Sequence, residues 1–232
     1  YAEIKALATG NPYIREKMDL DIQVSKLKLM KANHTSQKYH LETDIAKNYP
    51  VQIAAQKEQI AGLRADREAV KPILEEKEKD NFSMMIGGKT YTDRKEAGTA
   101  ILAACAGLKA VKSNGQIGEF HGFSLNASYD SFYQTYKLTI KRQCSYQIEI
   151  GKDVLGNLQR ISNALTGIEK RLTEAEQKME NLLSQLATAQ EEVEKPFPKE
   201  AELTEKMERL AELNSLLNMD EKGTSEALGM GE

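Results

Sequence analysis

The chain has 232 residues, 40% hydrophobic and 29% charged, with no Trp and a formal net charge of −3. That length holds one large or two modest domains, and the composition suits a soluble protein with extended helical surface. No apolar run approaches the ~20 residues that span a bilayer, so no membrane partner is expected.

Three further features bound the problem. The start, Tyr1-Ala2-Glu3-Ile4-Lys5, has no Met and no signal-peptide pattern, which reads as a fragment of a longer, cytoplasmic protein. Cys105 and Cys144 have no disulfide signature, and His34, His40 and His121 are scattered. Neither a metal site nor a cofactor is expected from them. The charge is divided: +1 over residues 1–81, +4 over 82–152 and −8 over 153–232. Nine of the fourteen Phe and Tyr residues fall in the middle segment. These shifts place the domain boundaries at about 82 and 152.

Residues 1–81 read as an N-terminal helical arm. Asn11-Pro12 starts a helix well, because Asn caps and Pro fits the first turn. Leu20, Val24, Leu27, Leu41 and Ile45 form an irregular apolar stripe interrupted by Lys31, His34 and Lys38. Pro50 is expected to kink or break the arm, since it removes a helical N–H and crowds the preceding turn; Pro72 is expected to kink it again. Between them Ile53, Ile60, Leu63, Val70 and Leu74 hold a heptad register that also places Gln56 and Arg67 on the seam.

Residues 82–152 read as a small α+β domain. Gly87-Gly88 between Met84–Ile86 and Lys89–Tyr91 is a two-residue hairpin signal. Asp93 caps a helix to about Lys109, with Ala97, Ala100, Ile101, Ala104 and Leu108 on its apolar face. Strands are expected at about 117–127, 133–142 and 144–150. Tyr136, Leu138 and Ile140 alternate with Lys137, Thr139 and Lys141, the pattern of a half-buried strand with a basic outer face.

The C-terminal arm, 153–222, carries the clearest signal. Leu158, Ile161, Leu165, Ile168, Leu172, Ala175, Met179, Leu182, Leu186, Ala189 and Val193 recur at alternating steps of three and four. So narrow a stripe is a coiled-coil seam. Asp153 is its expected N-cap and Pro196-Phe197-Pro198 its stop. A shorter amphipathic helix follows with Leu203, Met207, Leu210, Leu213 and Leu217, then a tail at 223–232 expected to be disordered. The predicted fold class is α+β, mostly α: a long antiparallel helical hairpin, with residues 51–80 against 153–193 and the α+β domain at its tip. A parallel homodimer through 158–193 is the alternative, and the monomer is favoured.

Gly87-Gly88-Lys89-Thr90 is no phosphate-binding loop, because Ser83 stands where its first glycine belongs and the lysine sits in a hairpin. Lys137, Lys141 and Arg142, with Tyr133 near, are candidates for a nucleic-acid surface of cations and stacking rings; solvated lysines and core tyrosines are the competing reading. Arg160 shares a helical face with Gly156 and Asn163 next to Asn157, either as a polar-ligand contact or as docking of the domain onto the helix. No catalytic constellation emerges, so the segment is not expected to be an enzyme.

Ala2-Glu3-Ile4-Lys5-Ala6-Leu7-Ala8-Thr9-Gly10-Asn11-Pro12, Leu27-Lys28-Leu29, Lys31-Ala32-Asn33-His34, Gly118-Glu119-Phe120-His121-Gly122-Phe123, Gly156-Asn157 with Arg160, and Lys195-Pro196-Phe197 resemble a known C-terminal tail. It belongs to large proteins of bacterial conjugative elements and phages that join an adenine-N6 DNA methyltransferase-like region to a Snf2/DEAD-box helicase region. The resemblance runs to about Asn218. It implies a DNA-processing parent whose helicase core, in the same polypeptide, is a partner. The helicase and DNA methylase motifs are absent here, so it implies no catalysis for this segment and transfers no binding residues. A non-catalytic accessory module, a coiled-coil arm presenting the tip to DNA or a partner protein, is the expectation; an assembly module without nucleic-acid contact is the alternative.

Overall fold

The computed structural model describes residues 12–79, 82–110 and 114–228, with side chains described for 12–71, 82–109 and 114–218. The class is α+β and mostly α, as the residue patterns predict. Among the described residues six α-helices, a π-helical turn and six strands follow in chain order: α1 (Pro12–Thr43), the π-turn (Asp44–Asn48), α2 (Tyr49–Lys79), β1 (Met84–Ile86), β2 (Lys89–Tyr91), α3 (Arg94–Ala110), β3 (Gly115–Phe120), β4 (Phe123–Asp130), β5 (Thr135–Lys141), β6 (Ser145–Ile150), α4 (Val154–Thr166), α5 (Ile168–Val193) and α6 (Glu200–Leu228). Contacts divide the chain into two compact units, 1–50 with 185–232, and 51–184. That division differs from the boundaries drawn at 82 and 152, because α2, α4 and the first part of α5 share one apolar core with the sheet.

In the first unit α1 and α6 run antiparallel, since the ladder Lys31–Glu200, Gln23–Lys206, Glu16–Arg209 descends one helix as it climbs the other. Val24, Leu27 and Leu203 are buried between them, with Leu210 alongside. The last helix therefore lies back along α1. Met207, expected in its stripe, is 42% exposed; Lys206 occupies that step instead, with Leu203, Leu210 and Leu213 inward. His34 packs edge-on against Phe197, so the polar gap in the N-terminal stripe lies over the Pro-Phe-Pro stop. The capping residue Asn11 lies outside the described residues. Residues 223–228, expected in a disordered tail, are helical, and 229–232 lie outside the described residues.

Pro50 neither breaks nor ends its helix. The Asp44–Asn48 π-turn precedes it, and the Tyr49 N–H reaches back to the Asp44 carbonyl. A wider turn absorbs the missing N–H and the ring's clash with the preceding turn. The backbone is likewise helical through Pro72; the side chains of 72–79, Leu74 among them, lie outside the described residues.

In the second unit the sheet is wholly antiparallel, in the order β2-β1-β3-β4-β5-β6. Gly87 and Gly88, at φ +59° and +80°, make the expected hairpin turn. The run read as a single strand at 117–127 is instead two strands. His121 and Gly122, at φ +49° and +77°, reverse the chain between Phe120 and Phe123. Histidine tolerates the left-handed region better than most residues, but carries no turn signature as strong as Asn-Gly.

One sheet face is covered. Leu125, Ala127, Leu138, Ile140 and Tyr146 meet Ala97, Ile101 and Cys105 of α3 in a single core. Asp93 caps α3 by accepting the Glu96 N–H at 2.8 Å. Asp153 caps α4 by accepting the Leu155 N–H at 3.2 Å. The seam from Leu158 to Val193 is buried or half-buried at every predicted step, with one interruption at Gly167 between α4 and α5. Ile60, Leu63 and Val70 of α2 share the core with Leu158, Ile161, Leu165, Ile168, Leu172 and Ala175. Arg64 pairs with Glu176 at 2.7 Å and Arg67 with Glu169 at 3.6 Å, so α2 and α5 are antiparallel here. Gln56, the polar seam position, is buried and donates to the Ala175 carbonyl at 2.9 Å. Such a bond satisfies a buried amide that would otherwise cost free energy.

A Cβ on Gly98 of α3 would stand 2.6 Å from the Val154 carbonyl oxygen. Helix propensity alone would favour alanine there by ~1 kcal/mol. We expect the opposite: Gly98→Ala lowers stability by about 1–3 kcal/mol because α3 and α4 must separate. Urea denaturation of the two proteins measures it, and a stabilised variant would refute the close packing.

Candidate functional site

The unit 51–184 offers three places where polar chemistry gathers, and the candidate residues are distributed among them. The first is a buried carboxylate. Asp66 of α2 is fully buried. It accepts from the Gln143 N–H at 3.0 Å, the Cys144 N–H at 2.8 Å and the Tyr146 hydroxyl at 2.8 Å. Arg142 donates to the Ala65 carbonyl at 2.9 Å and lies 3.4 Å from Asp66. The β5–β6 turn is thus fastened to α2, and Arg142 is engaged in the fastening. Gly62, one helical turn earlier, permits the approach: a Cβ there would be 2.8 Å from the Cys144 sulfur.

The second is the outer sheet face. Lys137, Thr139 and Lys141 point away from the core, as the alternation predicts. The face is not basic, however. Lys137 pairs with Asp130 at 2.9 Å and stands opposite Glu149 in register, while Glu119 lies opposite Ser124 on the same face. The hydrogen bond that the Lys137 ammonium donates to Asp130 holds the ammonium above its ordinary range and, reciprocally, holds the Asp130 carboxyl low. Lys141 is exposed at the far end of β5, about 20 Å from the β4–β5 turn at ~3.3 Å per residue.

The third is that β4–β5 turn. Asp130 accepts the N–H groups of Phe132 and Tyr133 at 3.0 and 3.1 Å, and Gln134 sits at φ +53°. The result is a fixed loop that displays Phe132 at 84% exposure and Tyr133 at 68%, ring edge to ring face at 4.9 Å. The Lys137 ammonium is 5.9 Å from the Tyr133 centroid. Lys109 of α3 lies over Tyr129, 4.3 Å from its centroid, and Tyr129 packs on Tyr136.

Lys137 and Tyr133 therefore come together, whereas Lys141 and Arg142 stand at the other end of β5. Arg160 is engaged within its own helix, donating to the Asn157 side chain at 2.9 Å. Asn157 is itself fully buried and brackets Gly151, accepting its N–H at 2.8 Å and donating to its carbonyl at 2.9 Å. Asp66 and Phe132 were not singled out by sequence reasoning. A mid-helix glycine four residues before a carboxylate beside the seam is the signal that marks Asp66. The Asp130-Ser131 turn marks Phe132.

Both cysteines are free thiols. Among the described residues no group of His, Cys, Asp and Glu is placed to hold a metal, and no helix is long and apolar enough to cross a membrane. No protein-family model, curated protein or solved structure matches the chain.

Two outcomes follow from the carboxylate and its neighbours. Asp66→Ala leaves the Tyr146 hydroxyl and two backbone N–H groups without their acceptor, and should cost about 3–5 kcal/mol by chemical denaturation. Alkaline pH is a second probe. Burial pushes the Cys105 thiol from 9.0 up to about 11. Burial first, and then the bond to Asp66, push the Tyr146 phenol well above 10.0. In both groups the protonated form is favoured by folding, so the contribution is complete below the unfolded value and fades as pH rises through the folded one. The melting temperature should fall from about pH 9 upward, more steeply above pH 10, and Tyr146→Phe should flatten the steeper part.

Proposed function

We propose that this segment is a non-catalytic accessory module of a DNA-processing protein. In this reading, paired helices carry an α+β domain that engages a macromolecule through the Phe132–Tyr133 loop. The observation that carries it is the loop itself. Two large aromatic rings in water are an energetic liability unless they are covered in use, and here the backbone beneath them is fixed in advance by Asp130. A rigid aromatic pair loses little conformational entropy on binding.

The DNA-processing setting comes from the sequence resemblance, and the chemistry of the loop fits it. Unpaired bases stack on exposed rings, at about 1–3 kcal/mol per base. With Lys137 matched by Asp130 and Glu149, and Arg142 spent on α2, the sheet face supplies little phosphate attraction. Stacking on single-stranded DNA is thus the favoured mode, and docking into an apolar pocket of a partner protein is the competing one. The assembly reading needs the seam at 158–193 free for a second copy. In unit 51–184 that seam, from Leu158 to Ala175, is already buried against the same chain, which supports a monomer.

The test is binding of the full chain to a fluorescent single-stranded oligonucleotide across a salt series. Tyr133→Ala and Phe132→Ala should each weaken it about tenfold, and Asp130→Ala should weaken it by loosening the loop. Lys141→Glu should act mainly at low salt. Absent binding, or binding indifferent to both ring deletions, removes the DNA version and leaves protein docking. A dimer by light scattering at low concentration would favour assembly instead.

A further inference from the structure

A cleft of about 470 Å³ opens in unit 51–184 between α2, α5 and the β5–β6 turn, lined by Gln59, Ser145, Tyr146, Arg171, Glu174 and Lys178 among others. Its size is within the range of small-molecule sites. Arg171 and Lys178, seven residues apart on α5, present their charges on the same helical face. Neither has an ion-pair partner among the described residues. Glu174 lies between them, and its nearest cation is Lys170 at 3.8 Å, outside the cleft. The side chains of Gln59 and Ser145 are likewise uncommitted among the described residues.

The position of Arg171 is the informative part. Its guanidinium lies 5.2 Å from the centroid of Tyr146, a cation–π placement that orients the group without using its N–H donors. Tyr146 is held in turn by its hydroxyl bond to Asp66, 2.8 Å. One wall is closed by the Gln56–Ala175 bond. Arg171 is therefore oriented by the ring and makes no ion pair among the described residues, and Lys178, Gln59 and Ser145 line the same cleft. Such a set matches a multi-oxygen dianion better than a carboxylate, because a phosphate has oxygens for all four donors.

We propose that this cleft binds the phosphate group of an organic anion of up to nucleotide size. The phosphate is carried by a free mononucleotide or by the end of a nucleic-acid strand. The site is at the opposite end of β5 from the aromatic loop and does not depend on the function proposed for that loop.

Calorimetric titration of the full chain with inorganic pyrophosphate, adenosine 5′-monophosphate and a short 5′-phosphorylated oligonucleotide tests this. Arg171→Gln should weaken binding about tenfold or more, and Lys178→Gln several-fold, with the melting temperature of each variant confirming the fold. Tyr133→Ala, which removes the loop's ring, should leave pyrophosphate binding unchanged. A mononucleotide that binds as tightly as the oligonucleotide identifies a free ligand; an oligonucleotide preference lost on removing its 5′-phosphate identifies a strand end. No binding of any probe, or binding that survives Arg171→Gln and Lys178→Gln together, overturns the assignment.

Discussion

The unit 51–184 is organised around one buried charge. Asp66 has no contact with water, and it is tolerable there only because the β5–β6 turn brings three close donors to it. A carboxylate in a low-dielectric interior without such partners would cost several kcal/mol. The consequence is geometric. A helix and a hairpin far apart in sequence are held in one register, since a one-residue slip of the turn would remove every donor at once. Apolar seams are more forgiving, because leucines a turn apart are nearly interchangeable. The carboxylate therefore specifies what the seam only favours.

That clamp also decides which cations are available. Arg142 would be free to meet a ligand on a solitary hairpin, but beside α2 it bonds the Ala65 carbonyl. Lys137 is drawn to Asp130, which simultaneously shapes the aromatic loop. Arg171, by contrast, is steadied by a ring and not by an anion. Lys137 and Arg142 are thus spent on structure, whereas Arg171 and Lys178 make no ion pair among the described residues in the cleft beside α5. The two binding proposals follow from that distribution, one resting on exposed rings and the other on unspent donors.

Much of the fold was legible in the residue pattern. The Leu158–Val193 seam, the Gly87-Gly88 hairpin, the α3 apolar face, the Asp153 cap and the Pro196–Pro198 stop each depend on spacing or on a residue with a fixed backbone preference. Where the structure differs, each difference has its own physical cause. Of the expected kink or break at Pro50, the break does not occur, because the cost of proline assumes an ideal helix and a π-turn changes that reference. The His121-Gly122 reversal was passed over because histidine adopts positive φ without advertising it. Met207 fell outside its stripe because heptad position sets direction, not what waits there.

Sequence by itself determined most of the helices and strands and most of their apolar faces, because those properties depend on neighbours a few residues apart. It determined the cation candidates only as a roster. Whether Lys137, Arg142 and Arg160 are free or committed was decided by Asp130, Asp66 and Asn157. Of these, Asp66 is more than seventy residues from Arg142, and no local periodicity records that pairing. Electrostatic availability is a property of what folding brings within a few ångströms, and only the tertiary structure settles it.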